Sequence, residues 1–513
     1  MKSFVEKNDR FVQRFFEISL GLSTWALLTS PLWLGFLYPE AVVYMLTFLT
    51  VYWSYLAFRH TYGLVIGYNK HKSELKIDWL SECKKLDFSE LPDKKTLPPS
   101  LEDVRHLILV PLVAEPEGVI RDTMGGILRQ TFSKKQIVVA FTIEERGVDK
   151  VKSAVEKVMG ECGHEFHDYM IYVHPAGIPG EAVGVAAANR TWGSKNAVVD
   201  LEKKGENIRN YIYSSIDGDH IIHPQYISRL THLYLSSDNR DNHYYSTAVP
   251  LFDNNLWRVP LMMRIEASAV TMGVLSDWIV TKKTLKDTFS AFSISLKTLI
   301  EADYWDVTLG VDDTIFYWRA FFAKGGKFDG LPHFIPYSAD AVEGRSYWES
   351  HKSLYKQLLR WGWGVIDFPL SMKGFLKDKR VAFSKKMGWF IKHIQKRVVF
   401  VNIVFLITFG FGLVTVVNPL VKQSNFAYSL PDIMSTILTV TLIFLIPGTI
   451  YRFKLSGPIP KEFPWWKKLL VYLEGPLIIL NLLTFSFIPT IEAQTRLLLG
   501  KKKDDLYFTP KVR

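Results

Sequence analysis

Residues 106–145 read HLILVPLVAEPEGVIRDTMGGILRQTFSKKQIVVAFTIEE, and two kinds of pattern alternate within them. A compact apolar run, Leu107 to Pro111, is followed by the helix-like pattern Gly118 to Gln130 and by a second apolar run, Gln136 to Phe141. Short apolar runs separated by a helical segment are typical of buried parallel strands joined by crossover helices. The stretch therefore predicts a strand, a helix and a second strand.

The same alternation continues downstream of this stretch. A helical pattern runs from Val148 to Met159, and further strand-like runs span Tyr169 to Val173 and Tyr211 to Ile216. Strands that alternate with helices predict an α/β fold with a mostly parallel sheet covered on both faces. Ligands of such sheets lie beyond the carboxyl ends of the strands, so the residues just after each strand are the candidates for a site.

Acidic residues follow three of the predicted strands. Glu115 follows the first, Glu144 and Glu145 follow the second, and Asp217-Gly-Asp219 follows the strand that ends at position 216. Two carboxylates separated by a glycine can hold a divalent cation, Mg²⁺ or Mn²⁺, which would neutralise a diphosphate leaving group. A solvated acidic turn is the alternative interpretation of the same residues.

Two further motifs lie later in the chain. Asp312 and Asp313 precede the amphipathic helical pattern Ile315 to Ala323, where acidic residues also favour the helix dipole. The sequence Gln-Leu-Leu-Arg-Trp places three recognition side chains within about one helical turn. These three are Gln357, Arg360 and Trp361, and their alternative role is to anchor a helix at a membrane surface.

Apolar runs without a formal charge lie near both ends of the chain, and each approaches the roughly 20 residues of a spanning helix. The net charge of +11 comes from basic residues that cluster beside these runs, which indicates membrane topology and argues against a nucleic-acid partner. The two cysteines have no metal-type spacing. The apolar runs are Ile18 to Leu37, Ala41 to Phe58, Val398 to Val417 and Ile433 to Tyr451.

The basic residues predict an orientation. Lysines and arginines precede the first run and follow the second, whereas the link Tyr38 to Glu40 has none, so the flanks and the central domain are expected to be cytosolic. A last apolar segment, 469–489, has basic stretches on both sides, which favours a re-entrant or interfacial helix over a single crossing. The chain is thus expected to be a multi-pass protein of the cell membrane.

The order of these motifs resembles the membrane-integrated family-2 glycosyltransferases of the cellulose synthase and hyaluronan synthase group. The tail Leu506 to Lys511 is similar to the gating loop of cellulose synthases. Two motifs depart from the family: Glu144-Glu145 replaces an Asp-Asp turn, and Val-Asp-Asp replaces Thr-Glu-Asp. The family's lysine-containing turn near the diphosphate falls on 179–189, where Lys195 is the nearest lysine and no residue is assigned.

The resemblance implies a GT-A, Rossmann-like domain inserted between N-terminal and C-terminal transmembrane helices. It implies an inverting transfer from a nucleotide-sugar donor, with uridine diphosphate favoured, to a growing polysaccharide that is then secreted. Single addition to a lipid-linked acceptor and a non-catalytic membrane scaffold are the alternatives. The implied partners are the donor, a polysaccharide or lipid-linked acceptor and membrane lipid.

The resemblance also implies a role for each candidate residue. Asp313 is the implied catalytic base, and Asp217 and Asp219 are the implied metal ligands. The implied donor contacts are Glu115, Glu144, Glu145, Asp217, Thr509 and Lys511, and the implied acceptor and diphosphate contacts are Gln357, Arg360 and Trp361.

The expected domains follow from the apolar runs and the extent of the resemblance. They are a transmembrane hairpin at 1–60, a linker at 61–104, the transferase domain at 105–368, an interfacial amphipathic region at 369–397, a membrane region at 398–489 and a cytosolic tail at 490–513.

Overall fold

The computed structural model describes residues 2–182, 186–309, 311, 313–423, 425–501, 507, 509 and 511. The chain divides into two compact units, each with its own hydrophobic core. The helical unit consists of Met1–Ile66, Leu354–Lys379 and Phe383–Lys502. The sheet unit consists of Gly67–Ser353, Arg380–Ala382 and Lys503–Arg513.

The sheet unit contains a seven-stranded sheet of order β3-β2-β1-β4-β8-β6-β9 and a three-stranded sheet of order β5-β10-β7. In the large sheet β8 runs antiparallel to β4 and β6, and every other neighbouring pair is parallel. This confirms the predicted α/β class with a mostly parallel sheet. The strands are β1 Arg105–Leu112, β2 Ile137–Glu144, β3 Asp168–His174, β4 Tyr211–Ser215, β5 Ile221–Ile222, β6 His243–Thr247, β7 Pro250–Leu251, β8 Phe292–Ser295, β9 Asp329–His333 and β10 Tyr337–Ser338.

Helices pack against this sheet, and its strands β2, β4 and β8 are buried along their whole length. Every residue of β2 is buried, which explains why its sequence shows no alternation of polar and apolar residues. Helix Ala186–Lys203 approaches the sheet at Gly193, where a Cβ would lie 2.6 Å from the Cβ of Thr142. The helices of this unit are Trp79–Lys84, Glu117–Leu128, Val148–Cys162, Ala186–Lys203, Tyr226–Leu235, Leu261–Val280, Leu296–Glu301 and Asp313–Ala323.

The helical unit contains helices of membrane-spanning length. Within the described ranges, four are long and apolar enough to cross a membrane: Pro39–Glu74, Phe383–Val417, Tyr428–Ser456 and Ile478–Leu498. The pair Asp9–Leu28 and Ser30–Leu37 also passes this test together, although its members are bent by 66°. The predicted apolar runs lie within these helices, which is consistent with a membrane protein.

Two apolar segments that are continuous in the sequence are each broken into separate helices in the structure. The first predicted run is interrupted at Thr29, two residues before Pro31, whose ring nitrogen has no hydrogen to continue the hydrogen bonding of the preceding helix. The segment 469–489 is not one helix either, because Trp465–Leu473 ends before Gly475-Pro476 and Ile478–Leu498 begins beyond them.

Glycines allow close contact between the helices of this unit. A Cβ on Gly35 would lie 2.6 Å from Cγ2 of Val414, and one on Gly410 would lie 2.7 Å from Cδ2 of Leu46. Small residues at such contacts let helix backbones approach and gain dispersion energy where lipid offers no hydrophobic drive. The helices are Lys2–Lys7, Asp9–Leu28, Ser30–Leu37, Asp367–Lys377, Phe383–Ile394, Phe400–Val417, Asn425–Thr441, Leu445–Ser456, Trp465–Leu473, Ile478–Asn481 and Phe487–Leu498; residues of Pro39–Glu74 and of Tyr347–Gly362 are assigned partly to each unit.

Candidate active site

The loop after β4 carries Asp217, Gly218 and Asp219 at the carboxyl edge of the parallel strands. A Cβ on Gly218 would lie 2.7 Å from Cδ2 of Leu112 and 3.1 Å from Cγ of Glu115. The loop after β1 therefore packs directly against the glycine between the two carboxylates. Only glycine fits this position without moving one of the two loops.

Asp217 is bound by an arginine from helix Ala186–Lys203. Nη2 of Arg190 lies 2.5 Å from Oδ1 of Asp217, and the hydroxyl of Ser290 donates to Oδ2 at 3.1 Å. Burial alone would raise the pKa of this carboxyl, but the Arg190 guanidinium and neighbouring positive charges outweigh burial. The pKa of Asp217 is consequently far below its ordinary value, and the group is an anion at neutral pH.

Asp219 is bound by a lysine from the C-terminal tail. Nζ of Lys511 lies 2.6 Å from Oδ2 of Asp219, and the backbone N–H of Asp340 donates to the same oxygen at 2.9 Å. The Asn254 amide donates to the carbonyl of Asp219 and to the carboxylate of Asp340. Burial opposes ionisation of Asp219, yet Lys511 lowers its pKa below the ordinary value.

Asp313 lies at the start of helix Asp313–Ala323, and the same arginine reaches it. Nη1 of Arg190 lies 3.1 Å from Oδ1 of Asp313. The backbone is held as well, because the hydroxyl of Thr288 donates to the carbonyl of Asp313. Arg190 thus joins the carboxylates of Asp217 and Asp313, which are 96 positions apart in the sequence. The neighbouring Asp312 lies outside the described residues.

Arg190 is a site residue that the sequence did not identify. The residue considered in this region, Lys195, is half-exposed and lies 3.9 Å from Asp303. Arg190 itself is 3% exposed. The available signal was an arginine directly after the short side chains Ala186 to Asn189 at the start of a helix, because a charge on the sheet-facing side of such a helix needs a buried partner.

His220 helps to fix the acidic loop. Its Nδ1 accepts a hydrogen bond from the backbone N–H of Asp217 at 3.2 Å, and its ring stacks on Tyr337 with centroids 4.3 Å apart. Burial lowers the pKa of His220, so the ring is neutral at pH 7 and its proton is on Nε2. Nε2 then faces Oδ2 of Asp217, 3.5 Å away.

The three glutamates after β1 and β2 have different environments. Glu115 accepts hydrogen bonds from the backbone N–H groups of Val113 and Ala114, so it stabilises its own loop. Glu145 accepts from the N–H of Ala176 at 2.6 Å. One oxygen of Glu144 lies 2.6 Å from Nε of Arg146, while Oε1 is buried and has no hydrogen-bond partner within the described ranges. Burial raises the pKa of Glu144 and of Glu115.

The C-terminal tail contributes two of the predicted residues to the sheet unit. Thr509 is 7% exposed, and its hydroxyl has no hydrogen-bond partner among the residues the structure describes. Lys511 is partly buried, with a side-chain exposure of 17%, and it binds Asp219, which raises the pKa of the ammonium although burial opposes this. The structure therefore brings Lys511 to the acidic loop, as an ion pair with a carboxylate.

Gln357, Arg360 and Trp361 lie on helix Tyr347–Gly362, in the part that belongs to the helical unit. Oε1 of Gln357 and Nε of Arg360 are buried and have no hydrogen-bond partner within the described chain. The indole of Trp361 is 37% exposed. This motif thus retains unused hydrogen-bonding capacity on one helical turn.

Asp217 and Asp219 can hold a divalent cation if a bound substrate supplies further oxygen ligands. Mg²⁺ is usually bound by one or two carboxylates, with the remaining positions filled by water and substrate phosphates. Asp217 and Asp219 supply such oxygens, whereas the described residues include no group of three or more His, Cys, Asp or Glu side chains able to hold a metal ion. Arg190 and Lys511 already neutralise both carboxylates. The donor set therefore fits a cation that substrate oxygens complete.

Comparisons with known proteins gave matches only among solved structures. No family model and no curated protein sequence matches the chain. A mannosyltransferase from Pyrobaculum calidifontis in complex with GDP-Man and Mn²⁺ matches with a TM-score of 0.41 and 13% identity, over 79% of this chain and 98% of that chain. TarS (1–349) from S. aureus in complex with UDP-GlcNAc matches with a TM-score of 0.34 and 12% identity, over 78% of this chain and 93% of that chain. At such TM-scores and identities these matches carry no argument about activity.

Proposed function

We propose that this chain is a membrane-embedded inverting glycosyltransferase of the GT-A type, which transfers a sugar from a nucleotide-sugar donor to a growing polysaccharide. One observation carries the proposal: Arg190 joins the carboxylates of Asp217 and Asp313 at the carboxyl edge of a parallel sheet. This arrangement supplies a carboxylate for proton transfer beside a second anionic group that can face a metal-bound diphosphate.

Asp313 is the proposed catalytic base. Its carboxylate would accept the proton of an acceptor hydroxyl while that oxygen attacks the anomeric carbon of the donor sugar. Arg190 acts as a positioning residue, because its planar guanidinium fixes the orientation of the Asp313 carboxylate relative to Asp217. A single base on one side of the sugar suits inversion at the anomeric carbon.

The departing diphosphate is the proposed partner of the acidic loop and the tail. A bound Mg²⁺ or Mn²⁺, held by Asp217 and Asp219, would supply Lewis-acid stabilisation of the leaving group. Lys511 can exchange its bond to Asp219 for one to a phosphate oxygen, since an ammonium carries three donors. The hydroxyl of Thr509 offers a further donor.

The nucleobase is the proposed partner of Glu144, with Glu145 and Glu115 in supporting positions. Glu144 keeps one buried oxygen without a partner, whereas Glu145 and Glu115 accept from backbone N–H groups of loops beside the same edge. A carboxylate oxygen in this position can accept the ring N–H of uracil or the N–H groups of guanine. Glu145 and Glu115 would then shape the donor pocket.

The acceptor is the proposed partner of Gln357, Arg360 and Trp361. An exposed indole face suits stacking on a sugar ring, and the unused amide oxygen and guanidinium nitrogen suit hydroxyl or phosphate groups. Repeated addition would extend a polysaccharide. A single addition to a lipid-linked acceptor would use the same residues and is distinguished by product length.

The test uses the full chain in lipid nanodiscs with a panel of labelled nucleotide sugars, with and without Mg²⁺ or Mn²⁺. We expect metal-dependent transfer and products of many sugar units. Asp313→Asn should reduce transfer by at least 10²-fold, because general-base catalysis contributes about that much, while donor affinity stays within about threefold. Exposed Asp303 provides the matched control, Asp303→Asn, which should retain activity.

Two results would contradict the proposal. Loss of donor binding in Asp313→Asn would contradict the assignment of Asp313 as the catalytic base, since its carboxylate would then belong to the donor pocket. Absence of transfer and of donor hydrolysis with every nucleotide sugar would instead favour a non-catalytic membrane scaffold.

A further inference from the structure

An open groove lies in the helical unit, between the last turns of helix Leu445–Ser456 and helix Trp465–Leu473. Its volume is about 800 Å³. It lies outside the sheet unit that carries the acidic loop. The groove is lined chiefly by Ile450, Phe453, Lys454, Ile459, Lys468 and Tyr472.

Buried polar and aromatic contacts hold the two helices that form the groove. Arg452 forms a buried ion pair with Glu474 and donates to the carbonyl of Val471. The rings of Phe453 and Tyr472 have centroids 5.0 Å apart. Because a buried ion pair is costly to break, these contacts fix the spacing of the helices and keep the groove formed.

The charge of the groove is positive. Lys454 and Lys468 are its only charged lining residues in the part of the chain that the structure describes. The ammonium of Lys468 donates to the carbonyl of Lys461 at 3.0 Å, and that of Lys454 lies 5.0 Å from the ring centroid of Tyr451.

The surroundings of the groove have the composition of a membrane–water interface. Trp465 and Trp466, at the start of the second helix, are 77% and 52% exposed. Tryptophans are enriched at the level of lipid headgroups, where an apolar ring and a polar N–H can both be satisfied. In a bilayer this composition would place the apolar residues of the groove against acyl chains and the two lysines near headgroup phosphates.

We propose that this groove binds an anionic glycerophospholipid, with an acyl chain along Ile450, Phe453 and Tyr472 and the headgroup phosphate at Lys454 and Lys468. Basic pockets between membrane helices select anionic headgroups, because a zwitterionic lipid places its own cation beside the lysines. The site is independent of the donor and of sugar transfer.

The test measures lipid retention by the full chain in detergent, using native mass spectrometry with phosphatidylglycerol and phosphatidylcholine of matched acyl chains. We expect phosphatidylglycerol to be retained at least tenfold better. The double variant Lys454→Gln and Lys468→Gln should reduce this preference roughly 10- to 30-fold, since each lysine near a headgroup contributes about a fivefold factor.

The matched control is Lys467→Gln, next to Lys468 on the same helix. Lys467 lies over the ring of Phe463, 3.8 Å from its centroid, and does not line the groove, so its removal should leave the preference unchanged. The double arginine variant, Lys454→Arg and Lys468→Arg, should keep the preference, which separates loss of charge from misfolding.

Equal retention of the two lipids by the natural chain would overturn the proposal. So would a preference that survives in the double glutamine variant. A polyprenyl phosphate that displaces phosphatidylglycerol in competition would also overturn it, because the groove would then be an acceptor site.

Discussion

Arg190 is the residue on which the geometry of the candidate site depends most. It is almost completely buried, yet it binds two carboxylates, one from the loop after β4 and one from the start of helix Asp313–Ala323. An arginine in such a position neutralises the two carboxylates and fixes their orientation. A lysine could not contact both carboxylates in the same plane. Removing it would leave two anions facing each other in a poorly solvated site.

We therefore expect Arg190→Met to change the pH dependence of donor binding. The pKa of Asp217 is depressed mainly by Arg190 against the effect of burial, so it should rise in the variant. Donor binding that requires the Asp217 carboxylate should decrease when the solution is acidified. In the variant this loss should begin at a higher pH than in the natural chain. Equilibrium binding of a fluorescent donor analogue, measured across the acidic range, checks this shift.

Lys195→Met is the control for this experiment, since Lys195 lies on the same helix, is half-exposed and faces Asp303. Its binding profile should match that of the natural chain. If donor binding by Arg190→Met decreased over the same acidic pH range as in the natural chain, Arg190 would not control the ionisation of Asp217.

The limits of prediction at this scale follow from distance along the chain. Asp217, Asp219 and Asp313 could be predicted as candidate site residues from the sequence because each follows a strand or begins a helix, which is a local feature. Arg190 and the pairing of Lys511 with Asp219 depend on tertiary contacts across many positions. No periodic pattern indicates contacts of that kind.

At the scale of elements, the close contact between helix Ala186–Lys203 and the sheet positions Arg190. Gly193 lies almost one turn after Arg190, and a Cβ there would lie 2.6 Å from the Cβ of Thr142 and 3.0 Å from Cδ1 of Leu109. The helix can therefore reach the sheet only because this position has no side chain. A larger residue would push the helix outward and Arg190 with it.

Gly193→Ala should destabilise the sheet unit by about 1–3 kcal/mol, which is typical of overpacking against a tightly packed core. Gly160→Ala, in helix Val148–Cys162, is the matched control because a Cβ there meets nothing within 4 Å. The control should be stabilised by about 0.5–1 kcal/mol, since alanine loses less backbone entropy than glycine. Thermal unfolding of each variant in detergent, followed by intrinsic tryptophan fluorescence, measures the change in stability.

Strands β1, β2 and β4 were predictable at this scale because parallel strands buried on both faces are continuous apolar runs. The antiparallel β8, residues Phe292–Ser295, was not predicted, since its four residues give no period. The break at Thr29 was not predicted either. Hydropathy reports how long an apolar run is, and a bend in the helix does not change the hydropathy of the run.

At the scale of the whole molecule, basic residues gather beside the membrane-length helices. Lys2, Lys7, Arg10 and Arg14 precede the first apolar run, and Arg59 follows the second. Basic flanks remain on the cytosolic side of a membrane, which predicts a cytosolic sheet unit. Helices of membrane-spanning length were predictable from the sequence because both length and the absence of charge are properties of a continuous segment.

This orientation is tested by labelling Glu156→Cys with a membrane-impermeant maleimide, in a background in which Cys162 is changed to serine. Glu156 is exposed on the sheet unit, with a side-chain exposure of 55%. We expect labelling in inside-out vesicles and none in intact cells. Labelling of intact cells would place the sheet unit outside and contradict the topology drawn from the basic residues.

The ion pair between Lys511 and Asp219 also concerns the order in which the protein is made. The two residues are separated by 292 positions, and almost all of the helical unit that follows the sheet unit lies between them. A ribosome therefore completes the acidic loop long before it adds the lysine. Until then Asp219 lacks its main counter-charge, so the nascent sheet unit should hold that loop in a different arrangement, and only a chain whose membrane helices have already been inserted can complete it.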